Sequence, residues 1–335
     1  MASASASGKR DPEDKKPVDY VQIDGLVVLK IIKHCQEEGA GTVDVVQGVL
    51  LGLEREDKKL EITNCFPFPR HAEDEDFDEV EYQMEMMRHL RQVNIDHLHV
   101  GWYQSMHQGG CFNKALLDSQ FCYQNSIKES VVLIYDPMKT NRGFLSLKAY
   151  RLSYQAMQLY KDQDFSSERL KSVNLDFKNM FEEIKVVIRN SHLINSLLCE
   201  ISETIPEEQG FHFFDLATST VMEKNLRALM DCVEEMNQEA NKYCNILRQT
   251  NKQNQAKQQH IHKRQTENAA RQSRGEPALP DEDINKIFKP IPLPSRLDSL
   301  LYSGQILNHC QLTSEFASQS LGKLFVVESL QKEKQ

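Results

Sequence analysis

HVGWYQSMHQGGCFNKALLDSQ, residues 99–120, begins as a strand and runs into a loop. It gathers side chains that could do chemistry. His97 and His99 alternate along one strand face, and His107, Cys111 and Asp118 follow within twenty residues. A bound zinc needs three or four convergent ligands, and nothing in this spacing makes these five converge. They read as surface or hydrogen-bonded residues. Cys111 close to His107 suggests a thiol nucleophile, but neither a helix N-terminus nor an orienting third group accompanies it, so it reads as a buried thiol.

Working outward, VQIDGLVVLKIIKHCQEEG (21–39) opens as a short strand and becomes a helix with Leu26, Leu29, Ile32 and Cys35 on one face. VDVVQGVLLGLE (43–54) and KLEITNCFPFP (59–69) are strands, the second closed by Pro67 and Pro69. The acidic run from Glu73 to Glu81 leads into a helix spaced by Met84, Met87, Leu90 and Val93. Acidic residues there complement the helix dipole, and the run lacks the glycine turn and alternating oxygen ligands of a calcium loop. After the strand at 99–105 come SVVLIYDP (130–137) and GFLSLKAYRLS (143–153), joined by the turn KTNRG, then FEEIKVVIRNSHLINSLL (181–198), strand first and helix second. Strands and helices interspersed in this way predict an α/β domain built on a mixed sheet over residues 18–210.

The composition then changes. From Ala217 to Arg274 there is neither proline nor glycine, and Leu226, Leu229, Val233, Met236, Ala240, Tyr243 and Leu247 recur in heptads. A seam so narrow needs a partner against it, either a helix of another subunit or the chain's own domain or last helices. The remainder of this run, Arg248–Arg274, is polar with a basic excess and no interleaved aromatics, so it reads as a solvated helix face rather than a stacking platform for RNA. His260 and His262 lie within it, two apart and on different helix faces. The expected organisation is a disordered tail at 1–17, the α/β domain at 18–210, a long helix at 211–275, a linker at 276–294 and two short helices at 295–335.

The chain has 335 residues, a net charge of −9 and eight cysteines without a CxxC pair. The net charge excludes a generic polyanion binder as a whole but not a local basic patch, and the cysteine spacing excludes a disulfide framework and a zinc ribbon. No signal peptide precedes the domain and no apolar window is long enough for a membrane span, so a cytoplasmic protein with packed, reduced thiols is expected. There is no GxSxG, P-loop or GxGxxG motif, and no cofactor is expected.

The framework around Gly101 resembles the MPN/JAMM family of zinc-dependent isopeptidases and their relatives. In active members a strand ending in Gly-Trp-Tyr or similar runs into His-Ser/Thr-His-Pro, followed by Ser-x-x-Asp, with a glutamate on an earlier strand. Two imidazoles and a carboxylate hold zinc with an open position for water, and the glutamate shuttles the proton. Here Gly101, Trp102, Tyr103 and Ser105 match. The histidine positions hold Gln104 and Met106, the serine position Lys114, the aspartate position Leu117 (Asp118 is one residue late) and the glutamate position Val45. Glutamine is a poor zinc ligand and a thioether is too soft for this site. The resemblance therefore implies a non-enzymatic member without metal or cofactor. ITNCFPFP, GWYQSMHQGGCFN and SVVLIYDP narrow it to the non-catalytic MPN subunits of a translation initiation assembly. It implies a second MPN subunit as partner, a helical bundle shared with PCI subunits, and contact with the small ribosomal subunit through the assembly. Two competing readings are an isopeptidase with shifted ligands and a scaffold of the related proteasome lid or signalosome.

Overall fold

A computed structural model describes residues 18–39, 45–55, 57–68, 79–95, 98–106, 110–141, 143–203, 216–275, 277, 287–289, 291–292 and 294–332. The expected N-terminal tail, His97, His107 and most of the linker lie outside these. The strands are β1 (Tyr20–Asp24), β2 (Gln47–Arg55), β3 (Lys59–Pro67), β4 (His99–Ser105), β5 (Val131–Tyr135), β6 (Leu147–Leu152) and β7 (Phe181–Arg189). The expected mixed sheet is there, and it closes into a barrel in the order β1-β3-β2-β4-β5-β6-β7. Closure comes from β1, which lies parallel to both β3 and β7, with Asp24 opposite Arg189. β4 and β5 are also parallel; the remaining pairs are antiparallel.

The strand β5, VVLIY, is apolar throughout because both of its faces are covered. Val131, Leu133 and Tyr135 join the inner core with β1, β3 and α1 (Gly25–Gly39), while Val132 and Ile134 join an outer core with Trp102, Phe112 and Leu152. The period of two sorts them.

Several helices differ from expectation, for physical reasons. In α1 the buried face is Val27, Val28, Ile31 and Cys35, while Leu26 and Leu29 are exposed. LVVLKII is apolar around most of its circumference, so sequence spacing alone selects the wrong stripe. α2 (Glu79–Gln92) is rotated likewise: Tyr82, Met86, Met87 and Leu90 pack on the barrel and Met84 is exposed, as is Val93 just beyond the helix. The segment read as a loop after β4 contains α3 (Lys114–Ser126), capped by Asn113, whose side chain accepts from the Leu116 amide at 2.8 Å. Its apolar period is hidden because its buried face includes two glutamines. Gln120 accepts from Trp102 Nε1 at 2.9 Å, and Gln124 donates to the Leu152 carbonyl at 2.8 Å. Buried amides fully engaged in this way behave as core. Short helices α4 (Pro137–Thr140), α5 (Tyr154–Asp162), α6 (Ser167–Val173) and α7 (Phe177–Met180) follow, and β7 leads into α8 (His192–Glu203) as expected.

A π-helical turn, Thr218–Met222, starts α9 (Glu223–Ser273), a 51-residue helix some 76 Å long at 1.5 Å per residue. The C-terminal region is not two short helices but one, α10 (Leu297–Lys332). Gly304, a natural place to expect a break, instead sits buried against Phe177, where a side chain would not fit. α10 runs antiparallel along α9: Arg296 stacks over the Tyr243 ring at 4.3 Å, and Gln305 meets Cys232. α10 covers part of the expected seam. Leu229, Met236, Tyr243 and Leu247 are half-buried, but Leu226, Val233 and Ala240 are exposed. The covered stripe runs one residue earlier at those levels, through Asn225, Cys232 and Glu239.

Candidate functional site

β2 and β4 bring the end of β4 beside the start of β2, with Gln47 opposite Gln104. Val45, Gln104 and Met106 therefore meet at one end of the barrel. Trp102 and Tyr103 point to opposite faces, Tyr103 reaching His34 Nδ1 with its hydroxyl at 2.8 Å. Gln104 is buried and its Oε1 accepts from Gln47 Nε2 at 3.2 Å. Ser105 ties the strands together: its Oγ accepts from the Val46 amide at 2.9 Å and its own amide donates to the Val46 carbonyl at 2.8 Å. Val45 is exposed beside this pair. The Met106 amide donates to Tyr135 O at 2.7 Å. Lys114 and Leu117 diverge, since Lys114 is exposed on the first turn of α3 and Leu117 is packed in the outer core.

The polar neighbours are committed to protein partners. His99 Nε2–H donates to the Gly101 carbonyl at 2.8 Å and Nδ1 accepts from Gln83 Nε2 at 2.9 Å, so both ring nitrogens are used. Burial holds its pKa below the ordinary histidine value. Asp118 accepts from the Tyr160 hydroxyl, whose pKa burial and then Asp118 push up to about 12. Among the described residues no three His, Cys, Asp or Glu side chains converge as metal ligands.

Cys111 is buried and its thiol is pushed up to about 12 by desolvation, as are those of Cys35 and Cys65. At pH 8 such a thiol is thiolate on the order of one part in ten thousand. It has no nucleophile to offer. The packed thiols expected from sequence are only these three, since Cys122, Cys199, Cys244 and Cys310 are exposed. N-ethylmaleimide at pH 8 is expected to modify those four in the native chain, and Cys35, Cys65 and Cys111 only after unfolding. Peptide mapping that finds Cys111 labelled as fast as Cys122 would contradict this environment.

Sequence spacing does not signal what covers this end of the barrel. α10 lies over it: Gln305 Nε2 donates to the Phe112 carbonyl at 2.9 Å, Asn308 Nδ2 lies 3.9 Å from Met106 Sδ, and Lys139 pairs with Glu315. Leu297, Leu301 and Phe316 are buried beneath the helix. A cavity of about 280 Å³ remains under it, lined in part by Met106, Cys111, Lys148, Tyr150 and Gln311.

Known proteins share both halves of this architecture. The family described as "JAB1/Mov34/MPN/PAD-1 ubiquitin protease" matches residues 16–129, and that described as "C-terminal region of eIF3h" matches residues 140–335. The H-B subunit of eukaryotic translation initiation factor 3 from zebrafish (Danio rerio) is 58% identical over 330 residues, covering 97% of this chain and 98% of its own length. The chain belongs to the family of H subunits of eukaryotic translation initiation factor 3. The H subunit of Xenopus tropicalis is 59% identical over 315 residues (94% of this chain, 93% of its own), and that of Nematostella vectensis 54% over 331 (98% and 98%). The two matched regions divide inside the barrel. β6 and β7, the second of which closes the barrel against β1, lie in the region characteristic of the H subunits, so that region is no detachable appendage.

Proposed function

We propose that this chain is a non-catalytic scaffold subunit of eukaryotic translation initiation factor 3, working in the cytoplasm in an assembly that binds the small (40S) ribosomal subunit and supports messenger RNA recruitment. The absence of catalysis is argued from Gln104 and Met106 at the histidine positions and Val45 at the glutamate position. Lys114 and Leu117 extend the loss. Shifting the loop alignment by one residue would return Asp118 to the aspartate position, yet a lone carboxylate already bonded to Tyr160 does not hold zinc.

The observation that carries the scaffold reading is the second stripe of α9. After α10 has taken one side, Leu226, Met230 and Val233 remain exposed, Met230 at 70%. The last turns of α10 match it: Leu321, Leu324, Phe325, Val326 and Leu330 are exposed around the whole helix. A helix that is apolar all round belongs inside a bundle. Helices from PCI subunits are the partners we assign there. For the second MPN subunit (f) we assign the face where α1 and α8 leave the adjacent strands β1 and β7. The Gly25 amide donates to Asn190 Oδ1 at 2.8 Å, and Leu26, Leu29, Leu193, Leu197 and Ile201 are all exposed there.

The test separates the two sides of α9. Leu226→Asp with Val233→Asp is expected to leave the chain folded, with α10 in place, and to remove it from the co-purified assembly. Leu229→Asp with Met236→Asp, on the covered side, is expected to loosen α10 as well. Normal co-purification of the first double variant would sink the scaffold reading. About one tightly held zinc per purified chain would favour an isopeptidase with shifted ligands instead. Lid or signalosome subunits as the co-purifying partners would reassign the assembly.

A further inference from the structure

The distal half of α9 separates its charges by face. Residues 248–274 hold seven Lys or Arg and one carboxylate, a net of +6 in a chain of net −9. Lys257, Arg264 and Arg271 are half-buried on one side. Close by, Gln253 donates to the Lys289 carbonyl at 2.6 Å and His260 packs on Phe288. The carboxylate, Glu267, is engaged by Arg271 at 3.4 Å.

The other four cations, Arg248, Lys252, Lys263 and Arg274, are exposed, and among the described residues none has an acidic partner. Lys252, Lys263 and Arg274 recur every eleven residues. Eleven residues are close to three whole turns, so the three cations form a nearly straight line with about 16–17 Å between neighbours. Arg248 adds a fourth charge one turn earlier, and the line spans about 40 Å. Between the cations lie exposed Gln255, Gln259, Thr266 and Ala270, with no aromatic or large apolar group.

We propose that this line is a docking rail for RNA, which it grips through the phosphate backbone without reading sequence. A protein partner would call for an apolar, aromatic centre and few lysines, which this face lacks. Regularly spaced point charges on a long rigid rod fit an extended polyanion, and without stacking residues the contact is electrostatic and sequence-independent. The proposal stands apart from the scaffold reading, because the rail shares no residue with the apolar stripe around Leu226.

The experiment uses the full chain and a fluorescent 20-nucleotide oligouridine, followed by anisotropy between 50 and 200 mM KCl. Four single-strand phosphate contacts give a log–log salt slope of about −3, or roughly fifty-fold weaker binding across that range. Arg248→Gln, Lys252→Gln, Lys263→Gln and Arg274→Gln together are expected to abolish both binding and slope at unchanged helix content. Exchanging Lys and Arg at the same four positions should retain both, and Lys257→Gln, Arg264→Gln and Arg271→Gln together should change either little. No binding by the unaltered chain at 50 mM KCl would overturn the proposal, as would undiminished binding by the glutamine variant or loss of binding on Lys/Arg exchange. Equally tight binding of polyglutamate would overturn it in favour of an acidic protein surface.

Discussion

Gly101→Ala is expected to destabilise the barrel by about 3 kcal/mol, the upper end for forced overpacking. An added Cβ would lie 2.2 Å from the Val131 carbonyl oxygen and 3.2 Å from that residue's carbonyl carbon and amide nitrogen. These are backbone atoms of the neighbouring parallel strand, so no side chain can swing away. The only relief is to part β4 from β5, and β5 is buried on both faces. A urea titration followed by far-ultraviolet circular dichroism measures the loss. Gly322→Ala is the control, because nothing lies within 4 Å of where its methyl group would sit and helix propensity favours alanine by up to about 1 kcal/mol. A midpoint for Gly101→Ala equal to that of the unaltered chain would show that the strands have slack. The Gly-Trp-Tyr run is accounted for by packing alone. Gly101 makes the strand spacing, Trp102 anchors α3 through Gln120, and Tyr103 fills the inner core, so all three serve the fold whatever chemistry sits beside them.

Gly304→Leu is expected to lift α10 from the barrel while leaving the barrel folded. At this position a Cβ would come within 1.9 Å of the Phe177 ring, and Phe112 blocks the ring's retreat, edge-on at 5.4 Å. Release exposes Leu297, Leu301 and Phe316, each contributing about 1.5–3 kcal/mol when fully buried. Hydrogen exchange over residues 297–316 should accelerate by about two orders of magnitude, with β1–β7 protection retained, as expected for a sub-global opening. Limited proteolysis should find new sites in the same segment. Unchanged protection of α10 would mean that the Phe177 ring yields cheaply. Loss of protection throughout would mean that the helix is integral to the barrel.

What the sequence could convey follows from how broad each apolar stripe is. The strands were legible because period two admits only two faces and β5 is apolar on both. On α1 and α9 the existence of a buried stripe was legible and its rotation was not. Apolar residues cover more of each helix than one contact needs, so Leu26 and Leu226 look as suited to burial as Val27 and Leu229. α3 is not legible in the sequence because Gln120 and Gln124 occupy core positions, and only the tertiary structure supplies their partners in Trp102 and Leu152. Of the candidate site, Gln104 and Met106 could be placed from the strand framework alone. That Met106 lies under Asn308, 202 residues away, could not.

The antiparallel hairpin has a mechanical side. α9 and α10 overlap only from about Val221 to Tyr243, where α10 is also pinned to the barrel through Phe112 and Phe177. Past Tyr243, α9 continues for some 30 residues, or about 45 Å. It is a cantilever clamped by α10 at one end, with lighter support farther out where Gln253 and His260 meet Lys289 and Phe288. A load applied near Arg274 is resisted at the clamp, and a few degrees of rotation there sweep the tip through several ångströms. Whatever docks on the far end is held at a distance set by helix length and in a direction set by how firmly α10 grips the barrel. Loosening Gly304 would then be felt at the tip of α9, although none of its residues had changed.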